Sequence, residues 1–131
     1  MVSNNLINLC KDCEELKQKR IVIDIDGTIC TFKEEGQTYS DVIPLPGSVE
    51  TIEELRKNGY YIILYTARHQ KTCKGNEGKI LARVGKKTIQ WLEDNKIYYD
   101  EIHFTKPYAD IYLDDKAMLF ENWDKVKEEL L

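Results

Sequence analysis

Apolar positions recur along the chain with two periods, and the switching between them predicts the elements. Leu6, Cys10, Cys13 and Leu16 fall at helical steps within residues 5–19, the spacing of a short amphipathic helix. Ile21–Ile23 is a β-branched run that reads as a buried strand, ended by Asp24, Asp26 and Gly27. Residues 31–47 are polar and rich in turn formers, which predicts a loop or a small flap. Ser48 suits the N-cap of a helix carrying Val49, Ile52 and Leu55 on one face, stopped by Asn58-Gly59. Tyr60–Tyr65 is a second buried strand, ending at Thr66-Ala67-Arg68. A polar, basic loop over 69–78 leads to a helix with Leu81, Val84, Thr88 and Trp91 or Leu92 on its apolar face. A short strand is expected at Glu101–Phe104, broken by Lys106-Pro107. Ala109–Leu113 reads as a further buried strand, and Phe120, Trp123, Val126 and Leu130 mark a closing helix.

Strands alternating with helices imply an α/β fold: an open, doubly wound parallel sheet with helices on both faces. A length of 131 residues fits one domain, 1–131, with the helix before the first strand as an addition. Lys and Arg number 19 against 23 Asp and Glu, a net charge of −4 that disfavours a nucleic-acid partner. No apolar run is long enough for a membrane span, and residues 1–20 lack the pattern of a secretory signal. A cytoplasmic protein with four reduced thiols (Cys10, Cys13, Cys30 and Cys73) is the expectation.

Ligands of such sheets bind outside the carboxyl ends of the strands. Asp24, Asp26 and Thr28 follow the first predicted strand; Thr66, Ala67 and Arg68 follow the second. Lys106 follows the third, and Asp114 and Asp115 the fourth. A carboxylate such as Asp24, interrupting an apolar run, calls for a cationic partner or a metal. Four carboxylates at neighbouring strand ends repel one another unless a hard cation such as Mg²⁺ relieves them. Backbone N–H groups at Gly27 and Ala67 are expected to be free for oxyanions. Nucleophile, acid/base, cation, metal and anion donors are together what phosphoryl transfer through an aspartyl phosphate requires.

At these residues the chain resembles the haloacid dehalogenase-like hydrolases. Asp24-Ile25-Asp26-Gly27-Thr28, Thr66, Lys106 and Asp114-Asp115 match that superfamily's four motifs in order. Tyr65-Thr-Ala-Arg68 and Lys106-Pro-x-Ala-Asp-x-Tyr-x-Asp-Asp-Lys-Ala117 resemble small phosphatases of capsule and lipopolysaccharide biosynthesis within it. The resemblance implies a three-layer, Rossmann-like sheet. It makes Asp24 the nucleophile and Asp26 the acid/base, with Thr66 and Lys106 holding the phosphoryl oxygens. Mg²⁺ would be held by Asp24, the main-chain carbonyl of Asp26, and Asp114, supported by Asp115. Gly27, Thr28, Ala67, Arg68 and Lys79 complete the expected phosphate and substrate contacts. The gaps 29–47 and 67–105 leave no room for a cap domain. The site is therefore expected to be open, or closed by the flap 31–43 or a neighbouring subunit of a homo-oligomer. The substrate implied is a small phosphorylated metabolite, a sugar or sugar-acid phosphate.

Other readings compete. Cys10 and Cys13 lie on the apolar face of a predicted helix with no second pair, so packing outweighs zinc. Gly75 to Gly78 is too short for a P-loop, and Ile80 stands where Ser or Thr belongs. His69, Lys71 and Lys74 are candidate substrate contacts or a solvated basic loop. His103 reads as structural, and Trp91 and Trp123 as core. A phospho-receiver domain would end on its Lys, whereas an acidic pair follows here. A nucleotide or nucleic-acid-end phosphatase, or a non-catalytic binder of phospho-sugars, are the remaining alternatives.

Overall fold

A computed structural model describes residues 18–131. Of the helix predicted over 5–19 only residues 18 and 19 are described; Cys10 and Cys13 lie outside the described residues. The first strand, β1 (Arg20–Asp24), is followed after a long connection by helix α1 (Ser48–Lys57) and strand β2 (Tyr61–Tyr65). A helical stretch then runs through α2 (Glu77–Ile80), a π-helical turn (Leu81–Gly85) and α3 (Lys86–Asp94). Strand β3 (Glu101–His103) and helix α4 (Trp123–Leu130) complete the order. The sheet runs β1-β2-β3, all parallel, with Asp24 level with Tyr65 and Tyr65 level with His103. The α/β parallel architecture is thus as predicted.

Alternation along β1 and β2 puts Ile23, Ile62 and Leu64 into one core. They share it with Ile52 and Leu55 of α1, Trp91 and Leu92 of α3, and Trp123 and Val126 of α4. Helix α1 starts one residue earlier than a Ser48 cap would require. Gly47 holds the cap position at φ 81°, which favours glycine, and Ser48 is its first, buried residue. Asn58 and Gly59 end it as expected, and Asn76 caps α2 by accepting from the Lys79 N–H.

The predicted fourth strand does not form: among the described residues, 109–113 pair with no strand, Ile111 is 80 % exposed and Leu113 fully so. Among the described residues the sheet therefore stops at β1, whose Val22 is also well exposed. The pattern of the segment is that of a strand, but a strand needs a partner for its backbone groups, and Lys106 anchors the chain at the wrong end of β1 to supply one. No described helix is long and apolar enough to cross a membrane.

Candidate active site

The carboxyl ends of β1 and β2 and the chain just beyond β3 converge. Asp24 is the last residue of β1, and its Oδ1 lies 3.1 Å from Lys106 Nζ. Lys106 is placed by its backbone N–H, which donates to the Thr66 carbonyl at 3.2 Å. Thr66 in turn extends β2 by donating its N–H to His103 O. Asp24, Thr66 and Lys106 are therefore brought together as predicted. Burial raises the Asp24 pKa, and Asp26 adds to the shift; the Lys106 charge opposes it.

The turn after β1 is tighter than its sequence suggests. The N–H groups of Thr28, Ile29 and Cys30 all converge on Ile25 O, and Gly27 N–H donates to Cys30 O at 2.8 Å. The expectation that Gly27 offers a free N–H to an oxyanion is corrected: that donor, like the N–H of Thr28, is spent in closing the turn. Gly27 is needed instead for its φ of 80°, a left-handed conformation that favours glycine. Thr28 contributes its carbonyl, which accepts from Trp123 Nε1 at 2.7 Å and ties α4 to the turn. Ala67 N–H has no hydrogen-bond partner among the described residues and fits the role predicted for it.

Arg68 is the largest correction. It is not a substrate contact, because only 3 % of it reaches solvent. Its Nε and Nη2 grip the two carboxylate oxygens of Asp26 at 2.9 and 2.8 Å. Nη1 donates to Thr88 Oγ1 at 3.0 Å, and the Tyr39 ring lies over the guanidinium at 4.1 Å. Burial works against this charge, but the hydrogen bonds and attraction of Asp26 outweigh it, and the net shift is upward. Sequence placed Arg68 at the strand end but not its direction. The signal that it turns inward is Thr88, a hydroxyl on the core face of the following helix.

The same cluster silences a thiol. Burial, then the Asp26 charge, pushes Cys30 up to about 12. Tyr39 is raised for the same reasons, burial first. His69 stands at a left-handed φ of 60°, and burial followed by the nearby Arg83 and Lys33 charges lowers its pKa. Lys79 is exposed on α2 and its side chain takes no part in these pairs.

Asp114 and Asp115 are exposed, and Asp114 Oδ1 accepts the Lys116 N–H at 2.8 Å. Among the described residues no three carboxylate, imidazole or thiol groups stand together as a metal site. The predicted set of Asp24, Asp26, Asp114 and Asp115 is therefore not assembled within one chain. Its physical cause is the unpaired segment: a strand end is defined only where a strand forms. Instead Tyr112 reaches Lys106, with Nζ 4.4 Å from the ring centre, a contact hidden in the sequence inside an apolar run.

Residues 21–78 match the family of haloacid dehalogenase-like hydrolases. A Vibrio cholerae protein solved as MCSG target APC26283 superposes with a TM-score of 0.74 at 29 % identity, over 86 % of this chain and 93 % of that one. The D,D-heptose 1.7-bisphosphate phosphatase of B. bronchiseptica, solved with magnesium and phosphate, is 23 % identical. It aligns with 76 % of this chain but only 54 % of its own, at a TM-score of 0.47. No curated protein matches the chain. The match to haloacid dehalogenase-like hydrolases thus covers the part of the chain that carries β1, α1 and β2, and the overall fold is similar to that of the Vibrio cholerae protein.

Proposed function

We propose that the chain is a phosphatase that hydrolyses a phosphate monoester, a sugar or sugar-acid phosphate, through an aspartyl phosphate on Asp24. The observation that carries this reading is the Asp24–Lys106 pair at 3.1 Å beside the end of β2. An Asp24 carboxylate oxygen attacks phosphorus, the ester P–O bond breaks, and the leaving oxygen takes a proton. Water then attacks the acyl phosphate, releasing inorganic phosphate and the Asp24 carboxylate. Lys106, the Thr66 hydroxyl and the Ala67 N–H are the donors for the phosphoryl oxygens, where charge accumulates.

Asp26 is the acid/base of this scheme, and Arg68 is its positioning residue. The fork fixes where the Asp26 carboxylate points. Magnesium belongs to the reading, with Asp24, the Asp26 carbonyl, Asp114 and Asp115 as expected donors, although one chain as described does not gather them. Free, buried thiols at Cys30 and Cys73 fit a cytoplasmic setting.

The test is a panel of phosphate esters, including p-nitrophenyl phosphate, sugar phosphates and nucleotides, assayed with magnesium. Turnover fastest on a sugar or sugar-acid phosphate supports the proposal. Preference for nucleotides moves the substrate class, and no hydrolysis of any ester refutes phosphatase action.

A further inference from the structure

The chain carries a net charge of −4, but its charges are not evenly mixed. From Thr66 to Lys87 there are seven Lys and Arg against one Glu. Part of that charge gathers around a single ring. Tyr39, half-buried on the flap, has the Arg68 guanidinium over its ring at 4.1 Å and Lys33 Nζ at 5.8 Å, and its centre lies 5.8 Å from that of the His69 imidazole. Arg83 and Lys87 approach from the helical stretch, one turn apart. Each precedes a buried residue, Val84 and Thr88, and the Thr88 hydroxyl accepts from Arg68. Like charges placed this way repel one another. Among the described residues Lys33, Arg83 and Lys87 form no salt bridge that would relieve them.

His69 lies at the centre of this group and is held there. Its backbone sits in the left-handed region at φ 60°, which a residue other than glycine keeps only where its surroundings impose it. Its Nδ1 is buried with no hydrogen-bond partner among the described residues. Burial and then the charges of Arg83, Lys33, Arg68 and Lys87 hold the imidazole below its usual pKa, so the ring senses four cations at once. The flap that brings Lys33 and Tyr39 is fixed at its base. Trp91 Nε1 donates to the Val42 carbonyl at 2.7 Å, and the Thr31 N–H donates to the Ile43 carbonyl at 2.9 Å. A solvated basic face needs neither the strained backbone nor the orphaned nitrogen.

We infer that Lys33, His69, Arg83 and Lys87 receive a second anionic group of the substrate, a carboxylate or a further phosphate carried by the part that leaves. The inference rests on the phosphatase reading: Asp26 protonates the leaving oxygen, so the leaving group lies beside Asp26. Arg68 links that carboxylate, at 2.8 Å, to the Tyr39 ring, at 4.1 Å. Arg68 itself stays spent on Asp26 and Thr88, and the exposed cations meet the ligand. Thr66 and Ala67, the donors for the phosphoryl oxygens, stand within three residues of His69, a span of at most about 11 Å. A substrate with its two anionic groups at opposite sides of one sugar ring bridges the two places.

Three probes test it, sharing one ring and differing only at C6. Glucose 1-phosphate ends there in a hydroxyl, glucuronic acid 1-phosphate in a carboxylate and glucose 1,6-bisphosphate in a second phosphate. Their binding to Asp24→Asn protein, with magnesium and without turnover, is read by calorimetry and by the imidazole NMR signals. The chain has two histidines, so His103 serves as the internal reference. The carboxylate or the bisphosphate probe should bind about tenfold or more tightly than glucose 1-phosphate, and should move the His69 signals and not those of His103. Which of the two binds tighter separates a carboxylate from a phosphate. Arg83→Ala and Lys33→Ala should each remove most of the advantage. Lys57→Ala, which removes an exposed cation at the end of α1, should keep it. Equal binding of all three probes, or an advantage that survives both Arg83→Ala and Lys33→Ala, overturns the inference. If the advantage and the His69 shift appear but the wild-type protein hydrolyses no ester, the phosphatase reading falls and the anion site stands. Hydrolysis with no preference for the two doubly anionic probes keeps the phosphatase and removes the site.

Discussion

Ile21–Asp26 and Ile111–Asp115 are written in nearly the same way, an apolar run closed by two carboxylates, and they meet opposite fates. In the first, β2 satisfies the backbone, Lys106 takes Asp24 and Arg68 takes Asp26. In the second, no strand lies alongside among the described residues, and Leu113 is entirely exposed. A strand pattern states what a segment can do. Whether it does so depends on a partner within reach, and a carboxylate becomes part of a site only when that partner fixes the strand end.

The largest expected difference between the two regions is in catalysis. Asp24→Asn should cut turnover roughly a thousandfold or more while leaving the far-ultraviolet spectrum unchanged, because the nucleophile is lost and the fold is not. Chelation by EDTA should abolish activity and added magnesium should restore it. Full activity in chelator would remove the metal from the scheme and, with it, the need for Asp114.

Arg68→Ala is the largest expected change in stability. It leaves Asp26 partly buried without its partner and empties the space under Tyr39, and breaking such a pair costs about 3–5 kcal/mol. Urea unfolding would measure it. Turnover of p-nitrophenyl phosphate and of the best substrate should fall together, because Arg68 acts through Asp26. A loss confined to the larger substrate would mean that Arg68 meets the substrate after all. Arg68→Lys should not rescue, since an ammonium cannot grip both oxygens and Thr88 at once.

A matched pair of apolar substitutions sharpens the contrast. Ile25→Ala, at a fully buried position, should cost about 2–5 kcal/mol. Leu113→Asp should change the unfolding of an isolated subunit by less than about 0.5 kcal/mol. Equal destabilisation in both subunit measurements would mean that Leu113 is buried within its own chain.

Much of this is legible in the amino-acid sequence. The parallel sheet, the helices and the convergence of Asp24, Thr66 and Lys106 follow from periodicity and from strand ends. What was not legible was direction and reach. Nothing in Thr66-Ala67-Arg68 says that the guanidinium turns inward, because that choice is made by Asp26, Thr88 and Tyr39, which are remote in sequence. Gly27 carried the right residue for a different reason, since its N–H is consumed by Cys30. The acidic pair after Leu113 failed on reach, a property of the folded anchor at Lys106 and not of the local pattern.

The smallest expected effect on turnover concerns the brace between the two regions, where the chain returns from the exposed segment to the body. Trp123, just beyond it, donates Nε1–H to the Thr28 carbonyl at 2.7 Å, and its ring is buried against Phe120. Trp123→Phe keeps most of the apolar ring and removes the donor. The cost should be about 1–3 kcal/mol, the penalty of leaving the half-buried Thr28 carbonyl unsatisfied, and toward the lower end where water can reach it. Asp24 and Lys106 do not depend on this bond, so kcat should change by less than about threefold. Differential scanning calorimetry and steady-state kinetics on one preparation separate the two quantities. A large fall in kcat with little loss of stability would show that the Thr28 turn has to be held by α4 for Asp24 to react, and that the brace serves the chemistry as well as the fold.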